Sequence, residues 1–201
     1  MSAPNYPVME HFYTLQGEGF HAGTSAYFIR LGGCDVGCHW CDVKESWPAD
    51  QHPAVSVEEL AAAVSASAAR IIVITGGEPL MYPMEEWLKP LKTLKKPIHV
   101  ETSGAHPLTG AFDWICFSPK KFKAPKPEFY EQAHELKVVV FHPSDLEWAQ
   151  GHATRMHADA ALFLQPEWSK RETIVPLIIE YIKVHPEWRI SLQSHKYLNI
   201  P

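Results

Sequence analysis

The chain has 201 residues, 46% of them hydrophobic and 20% charged, and a formal net charge of −5. No apolar run approaches the roughly 20 residues that a membrane-spanning helix needs, and the acidic balance lacks the electrostatic footprint of a protein that grips a phosphate backbone. These numbers describe one soluble globular domain over residues 1–201, with neither a membrane nor nucleic acid as partner.

The first ten residues carry no basic stretch ahead of an apolar core, so neither a secretory nor a transit peptide is expected and a cytoplasmic location follows. Apolar runs of strand length predict seven strands, at 26–31, 71–75, 98–101, 114–117, 136–140, 161–164 and 189–192. Helices are predicted at 57–69, 84–94, 144–151 and 170–183; the first opens on a capping box, Ser56 with Glu59, ahead of an alanine-rich segment. Strands apolar on both faces, alternating with helices, predict an α/β fold with a parallel sheet covered by helices. A complete eight-unit barrel takes about 250 residues. A chain of 201 that also spends 32–55 on a loop predicts an incomplete, partial TIM-like barrel of parallel strands with helices outside. No repeat, low-complexity tract or domain boundary interrupts it.

Three of the four cysteines fall within eight residues, as Cys34-x3-Cys38-x2-Cys41 after Gly32-Gly33. In a reducing compartment such clustering points to metal or redox chemistry, because a disulfide framework spreads its cysteines. Structural zinc takes four closed ligands, whereas a cubane held by three thiolates leaves one iron open for a small molecule. His39 is the residue that could complete a Cys3His zinc site, but it sits directly beside Cys38, where bending back to one metal is awkward. Cys116, in the run Trp114-Ile115-Cys116-Phe117, reads as a small buried hydrophobe.

The cysteine spacing, followed by Gly76-Gly77-Glu78-Pro79 at a strand end, resembles the radical S-adenosylmethionine (SAM) superfamily. That resemblance implies a [4Fe-4S] cluster on Cys34, Cys38 and Cys41 whose open iron chelates SAM. Glycines at that turn allow close backbone approach to a ligand. Further along, Phe12 through Gly19, Phe28-Ile29-Arg30-Leu31, Glu101-Thr102-Ser103-Gly104, Ser118-Pro119-Lys120 and the tail Gln193 through Asn199 look like the 7-carboxy-7-deazaguanine synthases. Members of that family are carbon–nitrogen lyases. They convert 6-carboxy-5,6,7,8-tetrahydropterin to 7-carboxy-7-deazaguanine, with ring contraction and loss of ammonia, on the route to queuosine. The family also implies a flavodoxin or ferredoxin electron donor and a homodimer.

Carried over residue by residue, the resemblance implies that Trp40, Cys41, Asp42, Gly77, Ser118, Pro119, Lys120, Gln165, Pro166, Glu167 and Trp168 contact SAM. It implies that Leu15, Gln16, Gly17, Glu18, Arg30, Thr75, His195 and Pro201 contact the substrate, with Glu18 and His195 as catalytic candidates. The chemistry suits these assignments. A pterin edge is a planar array of donors and acceptors that a carboxylate such as Glu18 and an amide such as Gln16 can match. Arg30 offers a bidentate fork for the substrate carboxylate, and His195 a hydrogen bond or proton step. Against these stand plainer readings: Arg30 as a snorkelling edge residue, Gln16 and Glu18 as turn residues, and Trp40, Trp47 and Trp87 as packing. Lys120, Lys121, Lys123 and Lys126 likewise read as a solvated face, with only Lys120 approaching SAM.

One position departs from the family. Where a hydroxyl residue commonly follows the aspartate after the last cysteine and helps bind Mg2+, this chain has Val43. Valine offers no oxygen to a hard cation, so weaker dependence on Mg2+ is expected. The competing functions are another radical SAM enzyme, such as an activase that installs a glycyl radical on a polypeptide, and a non-enzymatic zinc or iron-sulfur module.

Overall fold

The computed structural model describes residues 4–201; Met1, Ser2 and Ala3, the start of the stretch read for a targeting peptide, lie outside the described residues. In chain order the elements are β1 (Tyr6–Leu15), β2 (Ser25–Leu31), β3 (Ala54–Val55), α1 (Val57–Ser65), β4 (Ile71–Gly76), α2 (Lys89–Lys92), β5 (Ile98–Thr102), β6 (Trp114–Phe117), α3 (Glu128–Gln132), β7 (Glu135–Val140), α4 (Asp145–Ala153), β8 (Ala161–Pro166), α5 (Arg171–Val184), β9 (Trp188–Ile190) and α6 (Ser194–Leu198).

Nine strands form one open sheet in the order β3-β1-β2-β4-β5-β6-β7-β8-β9. Every pairing from β2 to β9 is parallel, while β1 pairs antiparallel with both β2 and β3. The result is a barrel left incomplete, with the antiparallel pair β1 and β3 appended at one edge. The seven strands predicted from apolar runs are the parallel ones. β1 escapes that reading because only Tyr6 and Val8 of its ten residues are buried, and β3 because it is two residues long.

Local chemistry sets the helix boundaries. Ser56 accepts from Glu59 N at 3.2 Å and starts α1, whose Val57, Leu60 and Val64 share the buried face. The helix stops at Ser65, short of the predicted Ala69, where the Ser67 hydroxyl donates to Val64 O and accepts from Ala69 N. The predicted helix over 84–94 shrinks to Lys89–Lys92. Pro90 has no N–H to give Glu86, so the preceding residues make isolated turns instead. α4 and α5 lie within two residues of their predicted bounds. The helical faces and the sheet share one core that includes Ile29, Leu31, Ile72, Ile74, Leu164, Ile178 and Trp188. Each such buried side chain contributes about 1.5–3 kcal/mol. Because the seven strands run parallel, their carboxyl ends face one side, and the loops that follow them meet there.

Candidate active site

A cavity of about 370 Å³ opens at that face. Its size suits a small-molecule site. Its wall draws residues from both ends of the chain: Leu15 at the end of β1, Gln16, Gly17 and Glu18 after it, Arg30 on β2, Thr75 and Gly77 on and after β4, and His195 and Pro201 at the far end. Cys34, Cys38, Cys41, Trp40, Asp42 and Val43 enter from the loop after β2, and Ser118, Lys120, Gln165, Pro166, Glu167 and Trp168 from the ends of β6 and β8. Pro119 is the one residue of the expected set that does not line it; it is buried between two that do.

The loop that carries the cysteines is held by backbone bonds: Gly33 N donates to Ser46 O at 2.6 Å and Cys34 N to Trp47 O at 3.2 Å. Gly77 N donates to Leu31 O at 3.0 Å and Glu78 N to Gly33 O at 2.8 Å. A Cβ on Gly77 would stand 2.1 Å from Gly33 O, and one on Gly76, at φ +143°, 2.2 Å from Leu31 O. The paired glycines are thus required first by the backbone of the cysteine loop. Glu78, fully buried, accepts from Thr102 Oγ1 at 2.6 Å, Ser103 N at 2.8 Å and Leu80 N at 3.2 Å, tying this turn to the end of β5.

The three thiols face a common space with Val36 and Ala105. Burial raises the Cys34 thiol and, outweighing nearby Lys120, lifts Cys38 to about 11. His39 points elsewhere, edge-on to Phe122 and Phe141 with ring centroids 5.3 and 5.4 Å away. Among the described residues no three His, Cys, Asp or Glu side chains gather closely enough to hold one ion. A cubane makes a different demand, since each thiolate takes its own iron corner, and three convergent cysteines with no fourth fit it.

Charge is concentrated around Glu18 and Lys137. Lys137, in the middle of β7, donates to Glu18 Oε2 at 2.5 Å and Glu101 Oε2 at 3.3 Å. Burial alone would raise the Glu18 carboxyl; the contact with Lys137, together with Gln193 and His195, overrides it and holds the carboxyl at about 2. Gln193 Nε2 donates to Glu18 Oε1 at 3.0 Å. Gln16 is committed at both ends, with Nε2 to Glu101 Oε1 at 2.9 Å and Oε1 from Glu18 N at 3.0 Å. Gln16 thus links the Glu101 carboxylate to the backbone of Glu18, and its second N–H and second lone pair remain for a ligand in the cavity that it lines. Arg30 donates through Nε to Glu10 at 2.7 Å and still borders the cavity. Burial keeps His195 below the ordinary histidine range despite Glu18 beside it, so its ring is neutral at pH 7.

Near the cysteines, Lys120 donates to Ser118 O at 2.5 Å and Oγ at 2.7 Å. Lys121 and Lys123 pair with Asp145 and Asp35, so two of the four lysines of the run are ion-paired rather than simply solvated. Arg171 lies over the Trp168 ring at 4.4 Å. Asp42 accepts from Lys196 at 2.5 Å. Trp40 and Trp47 border the cavity, whereas Trp87 is fully buried in the core, and Cys116 is buried as read from its apolar run. Glu101, Lys137, Gln193 and Glu78 had no assigned role in the sequence. The available signal was a charged residue inside or ending an otherwise apolar strand run, as in Glu135-Leu136-Lys137-Val138.

The radical SAM superfamily profile matches residues 28–140. The chain is 54% identical over 195 residues to a 7-carboxy-7-deazaguanine synthase of Flavobacterium psychrophilum, covering 97% of this chain and 92% of that one. It is 48% identical to the synthase of Synechocystis, covering 98% and 94%. Among solved structures, that of QueE from Escherichia coli superposes with a TM-score of 0.84 at 32% identity, covering 95% of each chain.

Proposed function

The chain belongs to the 7-carboxy-7-deazaguanine synthase family of the radical SAM superfamily, and on that premise we propose that it converts 6-carboxy-5,6,7,8-tetrahydropterin into 7-carboxy-7-deazaguanine with loss of ammonia, for 7-deazapurine biosynthesis. Membership brings a [4Fe-4S] cluster and SAM, which when bound supply the hydrogen-abstracting radical. The observation that carries the substrate reading is the shared cavity: a carboxylate anchored on a buried lysine and an arginine fork face the three cysteines across one space.

In this reading Cys34, Cys38 and Cys41 hold the cluster. Trp40, Asp42, Gly77, Ser118, Lys120 and the 165–168 stretch border SAM. Arg30 takes the substrate carboxylate, Glu18 accepts from the N–H edge of its pyrimidinone, and neutral His195 serves as a hydrogen-bond partner at the reacting ring. Thr75, Leu15, Gly17 and Pro201 complete the wall. Pro201 O accepts from Thr14 Oγ1 at 3.2 Å, which brings the last residue to the cavity rim. Mg2+ would have Asp42 and substrate oxygens to bind but no side-chain oxygen from Val43. An acidic low-potential flavodoxin or ferredoxin as reductant, a homodimer and a cytoplasmic location complete the proposal. No helix among the described residues is long and apolar enough to cross a membrane.

The test is anaerobic turnover of reconstituted protein with SAM, a reductant and the pterin, read by mass spectrometry. Product that disappears in Cys38→Ala supports the proposal. SAM cleavage without product overturns the substrate, and a zinc-loaded colourless protein overturns the cluster.

A further inference from the structure

Lys137 is an anomaly of β7. Its neighbours are apolar or buried, and its own side chain is 4% exposed, yet it carries an ammonium. We infer that Lys137 is a positioning residue for the substrate site, holding Glu18 and Glu101 side by side as fixed anionic acceptors for the N–H edge of a heterocycle. The inference rests on the function proposed above.

Each carboxylate is gripped on both oxygens. Glu18 takes Lys137 on Oε2 and Gln193 on Oε1, and Glu101 takes Lys137 on Oε2 and Gln16 on Oε1. A carboxylate has about four acceptor positions, so each keeps capacity toward the cavity that both line. Two carboxylates brought together without a cation repel and share a proton. A shared proton would put an O–H where the ligand needs an acceptor.

The remaining groups around the ammonium do not take its place. Cys116 on β6 and Glu135 on β7, both raised by burial, offer no positive charge, Glu135 accepts from Phe20 N and Trp114 Nε1, and Lys120 after β6 is a second cation bonded to Ser118. Facing Glu18 from other elements are neutral His195 on α6 and Asp42, which is occupied by Lys196. Lys137 is therefore the cation in direct contact with both acceptors. Without it, burial is opposed only by Gln193 and His195, and the Glu18 carboxyl is expected to rise.

The test compares Lys137→Met and Lys137→Arg with wild type, all as cluster-reconstituted full chain. For Lys137→Met, KM for the pterin is expected to rise at least tenfold, while cluster absorbance and substrate-free SAM cleavage stay within about twofold. Its kcat/KM is expected to gain a limb that rises with pH between about 5 and 8, which Lys137→Arg lacks. Carbon-13 NMR of the Glu18 carboxyl reads the same point without turnover: silent from pH 4 to 8 in wild type, titrating above pH 5 in Lys137→Met. An unchanged KM and pH profile overturns the inference, as does loss at every pH together with cluster and SAM cleavage, which marks a purely structural lysine. If wild type turns over no pterin, the function fails while the NMR comparison still decides the role of Lys137. Should Lys137→Met not fold, Lys137→Met with Glu18→Gln removes the unpaired charge; a KM no higher than that of Glu18→Gln with Lys137 intact then supports the coupling, and a further large rise overturns it.

Discussion

His99 and His152 are buried and pushed down to about 4, in both cases chiefly by desolvation. Folded, both are neutral at pH 7. In the unfolded chain they take up protons below about 6.5, so the stability their neutral burial confers is complete above that pH and lost as pH falls toward 4. A depression from 6.5 to about 4 corresponds to at most roughly 3 kcal/mol per group, less where solvent screens the ring. Urea unfolding at pH 7.5 and 4.5 should show this loss, and His152→Phe should flatten about half of it; an undiminished slope in the variant contradicts the assignment. Val43 offers a second test at this scale. Val43→Thr should show stronger Mg2+ stimulation of turnover than wild type, because only the variant presents a side-chain oxygen at position 43 of the cavity wall. That departure was legible in the sequence, since a missing oxygen is visible in the residue name. Lys137 was not. One lysine in a strand reads as outward-facing until the sheet curls and puts that face inside.

Turn and loop decide whether the cysteines can meet. Gly77 is the contact point between the β4 turn and the cysteine loop, and Gly77→Ala would bring a Cβ within 2.1 Å of backbone oxygen and 2.8 Å of Cys34 Cβ. The variant is expected to keep its far-ultraviolet circular dichroism but to lose most of its iron and sulfide after reconstitution. Gly151→Ala is the matching control. It lies inside α4 with nothing within 4 Å of the added Cβ, and should stabilise the protein by about 0.5–1 kcal/mol with cluster content unchanged. Elements legible in the sequence were those whose periodicity matches their burial: the parallel strands, α1, α4 and α5. β1 was lost because only Tyr6 and Val8 of it are buried while Glu10, Tyr13 and Leu15 are exposed, and α2 because Pro90 interrupts a pattern that otherwise reads as three turns of helix.

The whole molecule faces the problem of an open sheet whose two ends must still enclose one cavity. Among the described residues no strand pairing joins β9 to β1. The segment 16–24 bridges them instead: Gly19 N donates to Ser191 Oγ at 2.9 Å, Ser194 N and Oγ donate to Gly17 O at 2.9 and 2.8 Å, and Phe20 N donates to Glu135 at 3.2 Å. Ser191 is the latch, because its hydroxyl also donates to Gln165 Oε1 at 2.7 Å and so links the segment to β8 and the cavity wall. A closure made of loop and side-chain bonds leaves no periodic trace, which is why the partial barrel could be read from the sequence and its closure could not. Ser191→Ala strands the Gly19 N–H and the buried Gln165 oxygen, a loss of about 1–3 kcal/mol. Amide exchange at residues 17–23 should accelerate in that variant, and KM for the pterin should rise because Glu18 rides on the freed segment, while SAM cleavage without substrate stays near wild type. Exchange that accelerates evenly over the whole sheet would instead mean that Ser191 supports the core and that the barrel is closed by some other contact.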